Sequence, residues 1–315
     1  MLHFLPRIRV YQCKRAEHLA RKCENHNCQS TKLCVEFNSD SSPGIGSSQY
    51  QCIHFACPVP PAVNKATFIG TESLVNGSAA FYKCDGFYEP LNNKNFSTCS
   101  ANGSWSEFKC KRHVRNCTEL RHCQPSVVDG EYWLYPEKFG DKRVKIYCMN
   151  MLSSSNDSPK SYVTLNNETN AIHSYRLLHQ HSTINYAKLG VDLQTMIIDP
   201  NDMAFSNPSI NHYPPYGTVY RSCSLSYYPY TSSYLLINTI GTGLLLNKTA
   251  EWDDFSNNQP NSVILYVNKS SDHRIVNVSC SGECGECRPL HDLSFEYDET
   301  YEINMTDATD PACFD

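Results

Sequence analysis

From residue 111 onward, short runs rich in Val, Ile and Tyr recur at 131–135, 144–149, 162–165, 234–239, 263–267 and 274–278. Each run is bounded by Asn, Ser, Gly or Pro, the pattern of short strands closed by turns. Residues 189–198 fit a strand or a short helix equally well. The longest nearly apolar run, 234–246, is broken by Asn238, Thr239 and Thr242. It falls short of the ~20 residues that a membrane-crossing helix needs. The first 56 residues are polar: 16–22 predicts one or two helical turns, and 39–48 is a Ser/Gly/Pro-rich loop. The pattern predicts a mostly β protein, with its largest, mostly antiparallel domain over 111–290.

Cysteine changes this picture most. Seventeen cysteines in 315 residues place the chain in an oxidising compartment, where disulfides persist. Asn-x-Ser/Thr sequons at Asn76, Asn95, Asn102, Asn156, Asn167, Asn247, Asn268, Asn277 and Asn304 point the same way. Asn116 begins a tenth, with Cys117 in its middle position. Together they predict a secreted, N-glycosylated chain. Arg7 and Arg9 interrupt the start where a signal peptide would have its apolar core. An odd cysteine total leaves one thiol without an internal partner. Both features read as a fragment whose upstream sequence is missing.

The cysteines divide the chain. Residues 1–56 form a Cys-rich stub with Cys13, Cys23, Cys28, Cys34 and Cys52. Its Cys23-x4-Cys28-x5-Cys34 spacing resembles an EGF-like module, truncated and without the later Cys-x-Cys. Residues 57–110 open with Cys57-Pro-Val-Pro-Pro61 and continue through Tyr82-Lys-Cys84-Asp-Gly86-Phe-Tyr88. They close with Cys99-Ser-Ala-Asn-Gly103-Ser-Trp105 and Cys110. This segment resembles the sushi (complement control protein) module. The resemblance implies a small β-sandwich with bridges Cys57–Cys99 and Cys84–Cys110, and Trp105 in its core. So small a domain needs staples, and a bridge closing a loop of this size contributes about 4 kcal/mol.

Beyond it, Asn116-Cys-Thr-Glu-Leu120 leads to Asp129-Gly-Glu-Tyr132 and Val144-Lys-Ile-Tyr-Cys-Met-Asn-Met151. Tyr162-Val-Thr-Leu165, Leu189-Gly-Val-Asp-Leu193, Ile240-Gly-Thr-Gly-Leu244 and Trp252 follow, then Cys280-Ser-Gly-Glu-Cys-Gly-Glu-Cys287. In this order they resemble the GON domain of ADAMTS-type secreted metalloproteases, over about 116–290. That resemblance implies a larger β-rich domain and disulfides among Cys117, Cys123, Cys148, Cys223, Cys280, Cys284 and Cys287. These seven need Cys313 to make an even set, and their pairing stays open.

The protease association makes the zinc motif the decisive search. No histidine is followed by glutamate, so these residues contain no His-Glu-x-x-His and predict no enzyme activity of that kind. Neither Gly-x-Ser-x-Gly nor a P-loop occurs. No cofactor is predicted; zinc enters only if a longer parent carries an upstream metalloendopeptidase domain. Thrombospondin-type Trp-x-x-Cys signatures are missing as well, which favours a modular matrix or cell-surface protein.

A net charge of −5 gives no nucleic-acid signature. Locally, Lys109, Lys111, Arg112, Arg115 and Arg121, with His113, cluster at the sushi–GON junction as a candidate glycosaminoglycan site. Tyrosines crowd residues 213–234. Residues 291–315 hold eight acids and no Lys or Arg, and read as a flexible acidic tail with Tyr297 and Tyr301 as sulfation candidates. The leading expectation is a non-catalytic secreted or cell-surface glycoprotein. It would bind matrix components, proteoglycans or other extracellular proteins through its sushi and GON modules. The alternative is the C-terminal targeting region of an ADAMTS-like zinc metalloendopeptidase.

Overall fold

A computed structural model describes residues 32–37, 49–54, 57–100, 102–152, 157–165, 171–177, 180–208, 215–221, 232–255, 264–281 and 285–314. The chain separates into two compact units, Met1–Lys111 and Arg112–Asp315. The protein is mostly β, as the alternating pattern predicts.

In the first unit, β1 (Lys32–Phe37) and β2 (Gln49–His54) pair antiparallel, with Cys34 directly opposite Cys52. The predicted helical turns at 16–22 lie outside the described residues. Next come β3 (Ala66–Thr71), β4 (Ala79–Cys84), β5 (Tyr88–Pro90), β6 (Phe96–Thr98) and β7 (Cys110–Arg112). β3, β4 and β6 form one sheet, and β5 pairs with β7. Ala80, Tyr82, Phe108 and Cys110 make a small core, with Trp105 packed beside it. The Trp105 indole donates to the Pro58 carbonyl at 2.8 Å, fixing the ring against the module's first segment. Disulfides Cys57–Cys99 and Cys84–Cys110 close the unit at two places.

The second unit opens with α1 (Cys117–Cys123). Its start is written in Asn116-x-x-Glu119: the Asn116 side-chain oxygen accepts from the Glu119 amide at 2.8 Å. The Glu119 carboxylate in turn accepts from the Arg115 amide at 2.7 Å. The strands then run β8 (Gly130–Leu134), β9 (Val144–Met149), β10 (Lys160–Thr164), β11 (Ala171–Leu177), β12 (Gln180–Tyr186) and β13 (Lys188–Gly190). They continue as β14 (Ser206–Pro208), β15 (Val219–Arg221), β16 (Ser232–Asn238), β17 (Leu244–Leu246), β18 (Trp252–Asp254) and β19 (Ile264–Lys269). β20 (Ile275–Ser281), β21 (Gly285–Pro289) and β22 (Phe295–Tyr297) complete the order.

Two antiparallel sheets organise the unit: four strands in the order β13-β10-β9-β8, and six in the order β14-β12-β11-β16-β20-β19. Alternation decides which face is buried. Leu134, Ile146, Cys148, Val163 and Leu189 from the first sheet enter one hydrophobic cluster. Ile184, Tyr186, Leu235, Ile237, Val276 and Val278 from the second enter the same cluster. Leu120 of α1 is fully buried in it.

The segment read as a flexible acidic tail is part of this core, which corrects the sequence-based expectation. β22 pairs with β17, Leu293 and Phe295 are buried, and Cys313 is bonded to Cys123 of α1. Its acids find cations elsewhere in the unit: Asp298 pairs with Arg274, and Glu299 with Lys142. A charge count along the segment hides that its apolar residues are placed to fill the core. Tyr297 and Tyr301 lie half-buried here, Tyr297 beneath the Lys142 ammonium at 4.9 Å and Tyr301 against Gly243.

The Gly-Thr-Gly motif forms a tight turn. Gly241 and Gly243 take φ of 80° and 76°, and the Thr242 hydroxyl donates to the Thr239 carbonyl at 2.7 Å. A Cβ at Gly243 would lie 2.9 Å from the Tyr301 ring, so glycine is required there for space as well as conformation.

Candidate interaction surfaces

Among the described residues of the second unit, the disulfides are Cys117–Cys148, Cys123–Cys313 and Cys280–Cys287. Cys223 and Cys284 lie outside the described residues. Among those residues no three His, Cys, Asp or Glu side chains gather as a metal-holding group. No helix among them is long and apolar enough to cross a membrane.

The junction cations have separate fates. Lys111 does not serve as a surface cation: its side chain is only 4% exposed, and its ammonium lies 3.1 Å from Glu89, itself 17% exposed. The strand β7 places Lys111 inward, which linear clustering could not reveal. The Arg112 guanidinium pairs with Glu119, and Lys109 pairs with the exposed Glu107 at 2.6 Å. His113 stacks on Tyr135 at 3.8 Å between ring centroids. Arg121 is held by carbonyls, donating to Asn150 O at 3.0 Å and Asp157 O at 2.9 Å. These carbonyl bonds orient the guanidinium without cancelling its charge. Three of the five candidate cations are thus each paired with a carboxylate.

On the second face of the four-stranded sheet, Glu131, Thr164 and Lys188 form a polar cluster. Lys188 Nζ donates to Thr164 Oγ1 at 2.6 Å and lies 3.2 Å from Glu131. The same ammonium sits 4.2 Å from the Tyr147 ring centroid. Phe205 packs edge-on against Tyr147 and Tyr162. Nearby, Asp202 accepts from the Tyr162 hydroxyl at 3.0 Å and from Lys160 at 3.1 Å. Burial and the adjoining Asp202 and Asp199 charges push the Tyr162 hydroxyl well above the usual phenol range. These contacts fasten the 191–205 connection onto the sheet and pair Lys188 with Glu131 and Lys160 with Asp202, while Glu131 Oε2 is buried without a hydrogen-bond partner.

Burial alone would raise the Asp202 carboxyl. The Ala204 amide, Lys160 and Tyr162 outweigh it and hold Asp202 below the ordinary value. Asp298 is likewise held low against burial by Thr300 and Arg274. A depressed folded pKa contributes stability above the unfolded value of about 4, and that contribution is lost as pH falls through the folded value. Thermal unfolding followed from pH 6 downward should therefore show the melting temperature falling once the pH drops below about 4. Replacing both Asp202 and Asp298 by Asn should flatten that acid limb.

The sequons occupy varied settings. Asn76, Asn95, Asn102, Asn268, Asn277 and Asn304 are exposed. Asn247 is half-buried and donates to the Ser294 hydroxyl at 3.3 Å. Asn116 is committed to capping α1. Asn156 and Asn167 lie outside the described residues. Within the tyrosine-rich stretch, Tyr216 is buried against Tyr186, whereas Tyr234 is exposed on the outer face of the six-stranded sheet. Sequence reasoning missed α1 and the β11–β12 hairpin; the Asn116-x-x-Glu119 cap was the available signal for the helix.

The sushi repeat family matches residues 57–111, and the GON domain family matches 114–183 and 171–298. Human "a disintegrin and metalloproteinase with thrombospondin motifs 20" is 26% identical over 220 residues, covering 62% of this chain and 10% of its own length. The mouse protein of the same name is 27% identical over 201 residues, covering 56% of this chain and 10% of its own length. The chain thus spans about a tenth of these curated relatives, over their GON region. No solved structure matches the chain.

Proposed function

The chain belongs to the GON domain family, whose match covers more than half of it, and on that premise we propose that it is a non-catalytic extracellular binding module. Its work is to hold a matrix component, a proteoglycan or another extracellular protein. The observation that carries this reading is the pairing of two disulfide-stapled β modules of interaction-type families in one chain. Rigid scaffolds of this kind present surfaces and loops for recognition. Cysteine bridges and exposed sequons support an extracellular setting.

Glycosaminoglycan contact by the second unit falls to Arg121, whose guanidinium donates to carbonyls. Lys111 and Arg112 pair with the half-buried carboxylates of Glu89 and Glu119. Secreted full chain passed over heparin and over decellularised matrix tests this. The expected result is salt-sensitive retention that falls in Arg121→Ala and stays unchanged in Lys109→Ala/Glu107→Ala, a pair already joined to each other. Flow-through on both supports would sink the matrix reading.

A second reading is favoured by the relatives themselves, both metalloproteinases by name, of which this chain spans about a tenth. In it, the chain is the targeting region of a longer zinc endopeptidase. Full-length transcript sequencing decides: an upstream His-Glu-x-x-His supports it, and a complete reading frame without one removes it.

A further inference from the structure

In the six-stranded sheet Leu235, Ile237, Val276 and Val278 are buried, whereas Tyr234, Tyr266, Asn268 and Asn277 are exposed. At its edge β19 pairs antiparallel with β20, and Asn268 lies directly opposite Asn277. Both asparagines are exposed, and both begin an Asn-x-Ser sequon completed by Ser270 and Ser279. Directly opposed residues share a face and have Cβ atoms about 4.5–5.5 Å apart. Among the described sequons no other two stand opposite each other.

The neighbouring positions add a second observation. Ser279 is flanked on that face by Tyr266 of β19, 64% exposed, and Tyr234 of β16, 40% exposed. Two open aromatic rings beside the asparagines mark a place that something covers. The apolar face of a sugar ring suits such rings, and both lie two residues along the ladder from the asparagines, on the same face.

We propose that Asn268 and Asn277 form one composite N-glycosylation site, which carries a single glycan in the folded protein with its first sugars over Tyr266 and Tyr234. The proposal rests on the secretory reading above. In the transfer, an asparagine Nδ2 bonds to C1 of the terminal N-acetylglucosamine of a lipid-pyrophosphate oligosaccharide. The bond from C1 to the pyrophosphate oxygen breaks, lipid pyrophosphate leaves with the electron pair, and the amide proton passes to a base of the transferring enzyme. Both asparagines are eligible while the chain is extended. Strand pairing then brings the two attachment points to a spacing that leaves room for one sugar ring between the tyrosines. A doubly modified chain has to give up part of the ladder running from Ile264 opposite Ser281 to Lys269 opposite Val276. A glycan here also shields the exposed edge strand from pairing with other chains.

The test uses full chain secreted by a glycosylating cell line. Enzymatic glycan release in heavy-oxygen water marks each formerly occupied asparagine, and cleavage after Glu251 and Glu283 keeps both in one fragment. The expected fragment carries one mark, with loss of the doubly marked species. Asn268→Gln should raise occupancy at Asn277, and Ser279→Ala, which spares both asparagines, should raise it at Asn268. A predominantly doubly marked fragment overturns the proposal, and so does an unmarked fragment beside marked Asn102 or Asn304. No mark at any sequon overturns the secretory reading and this proposal with it.

Discussion

A chain ending after Leu290 will not reach a cooperatively folded, secreted state. The deletion removes Leu293 and Phe295 from the core, unpairs β17 and leaves Cys123 without Cys313. It also strips Arg274 of Asp298, whose carboxylate receives the Arg274 Nε at 2.8 Å. The single substitution Phe295→Ala isolates the packing part. Phe295 is fully buried, and truncating such a ring costs about 3–5 kcal/mol. That is a large fraction of a typical domain's stability of about 5–15 kcal/mol. Thermal unfolding of the variant, with secretion yield of the truncated chain, reads both effects. Wild-type melting and yield in the truncated chain would show that residues 291–315 are a dispensable tail.

The second large effect belongs to the Cys123–Cys313 bridge. Its partners are 190 residues apart, so it ties α1 at the start of the unit to the last described segment. Beside it the Arg112 amide donates to the Cys313 carbonyl at 2.7 Å, and Gln124 Nε2 donates to the Ala312 carbonyl at 2.9 Å. Closing a loop of that length stabilises by about 5 kcal/mol in the chain-entropy model. For a unit of this size each kcal/mol moves the melting temperature by about 2–4 °C, so Cys123→Ala/Cys313→Ala should lower it by about 10–20 °C. Removing both cysteines together leaves no free thiol to re-pair, so the loss reports the bridge. An unchanged melting temperature would mean that the ends are held without it.

Much of the β architecture was legible from alternation. β9 spans the run 144–149 marked by Val, Ile and Tyr, and β16 and β20 overlap their predicted runs closely. These strands bury one face, so their periodicity survives in the sequence. The resemblances were legible from cysteine, glycine and aromatic spacing together. What the sequence concealed was pairing between distant segments. The acids of 291–315 read as solvated because Arg274 and Lys142, which neutralise Asp298 and Glu299, come from elsewhere in the chain. Lys111 read as part of a surface cluster because Glu89, which faces it, is supplied by another strand region. The opposition of Asn268 and Asn277 depends on strand register, which spacing alone does not give.

From α1 to Cys313 the chain closes into one disulfide-joined GON-type domain, acidic segment included. Non-reduced peptide mapping of the secreted protein tests it directly. The expected map contains a cross-linked species joining the peptide with Cys123 to the peptide with Cys313, and another joining those with Cys117 and Cys148. A map that joins Cys123 to Cys117 and leaves Cys313 free would contradict it.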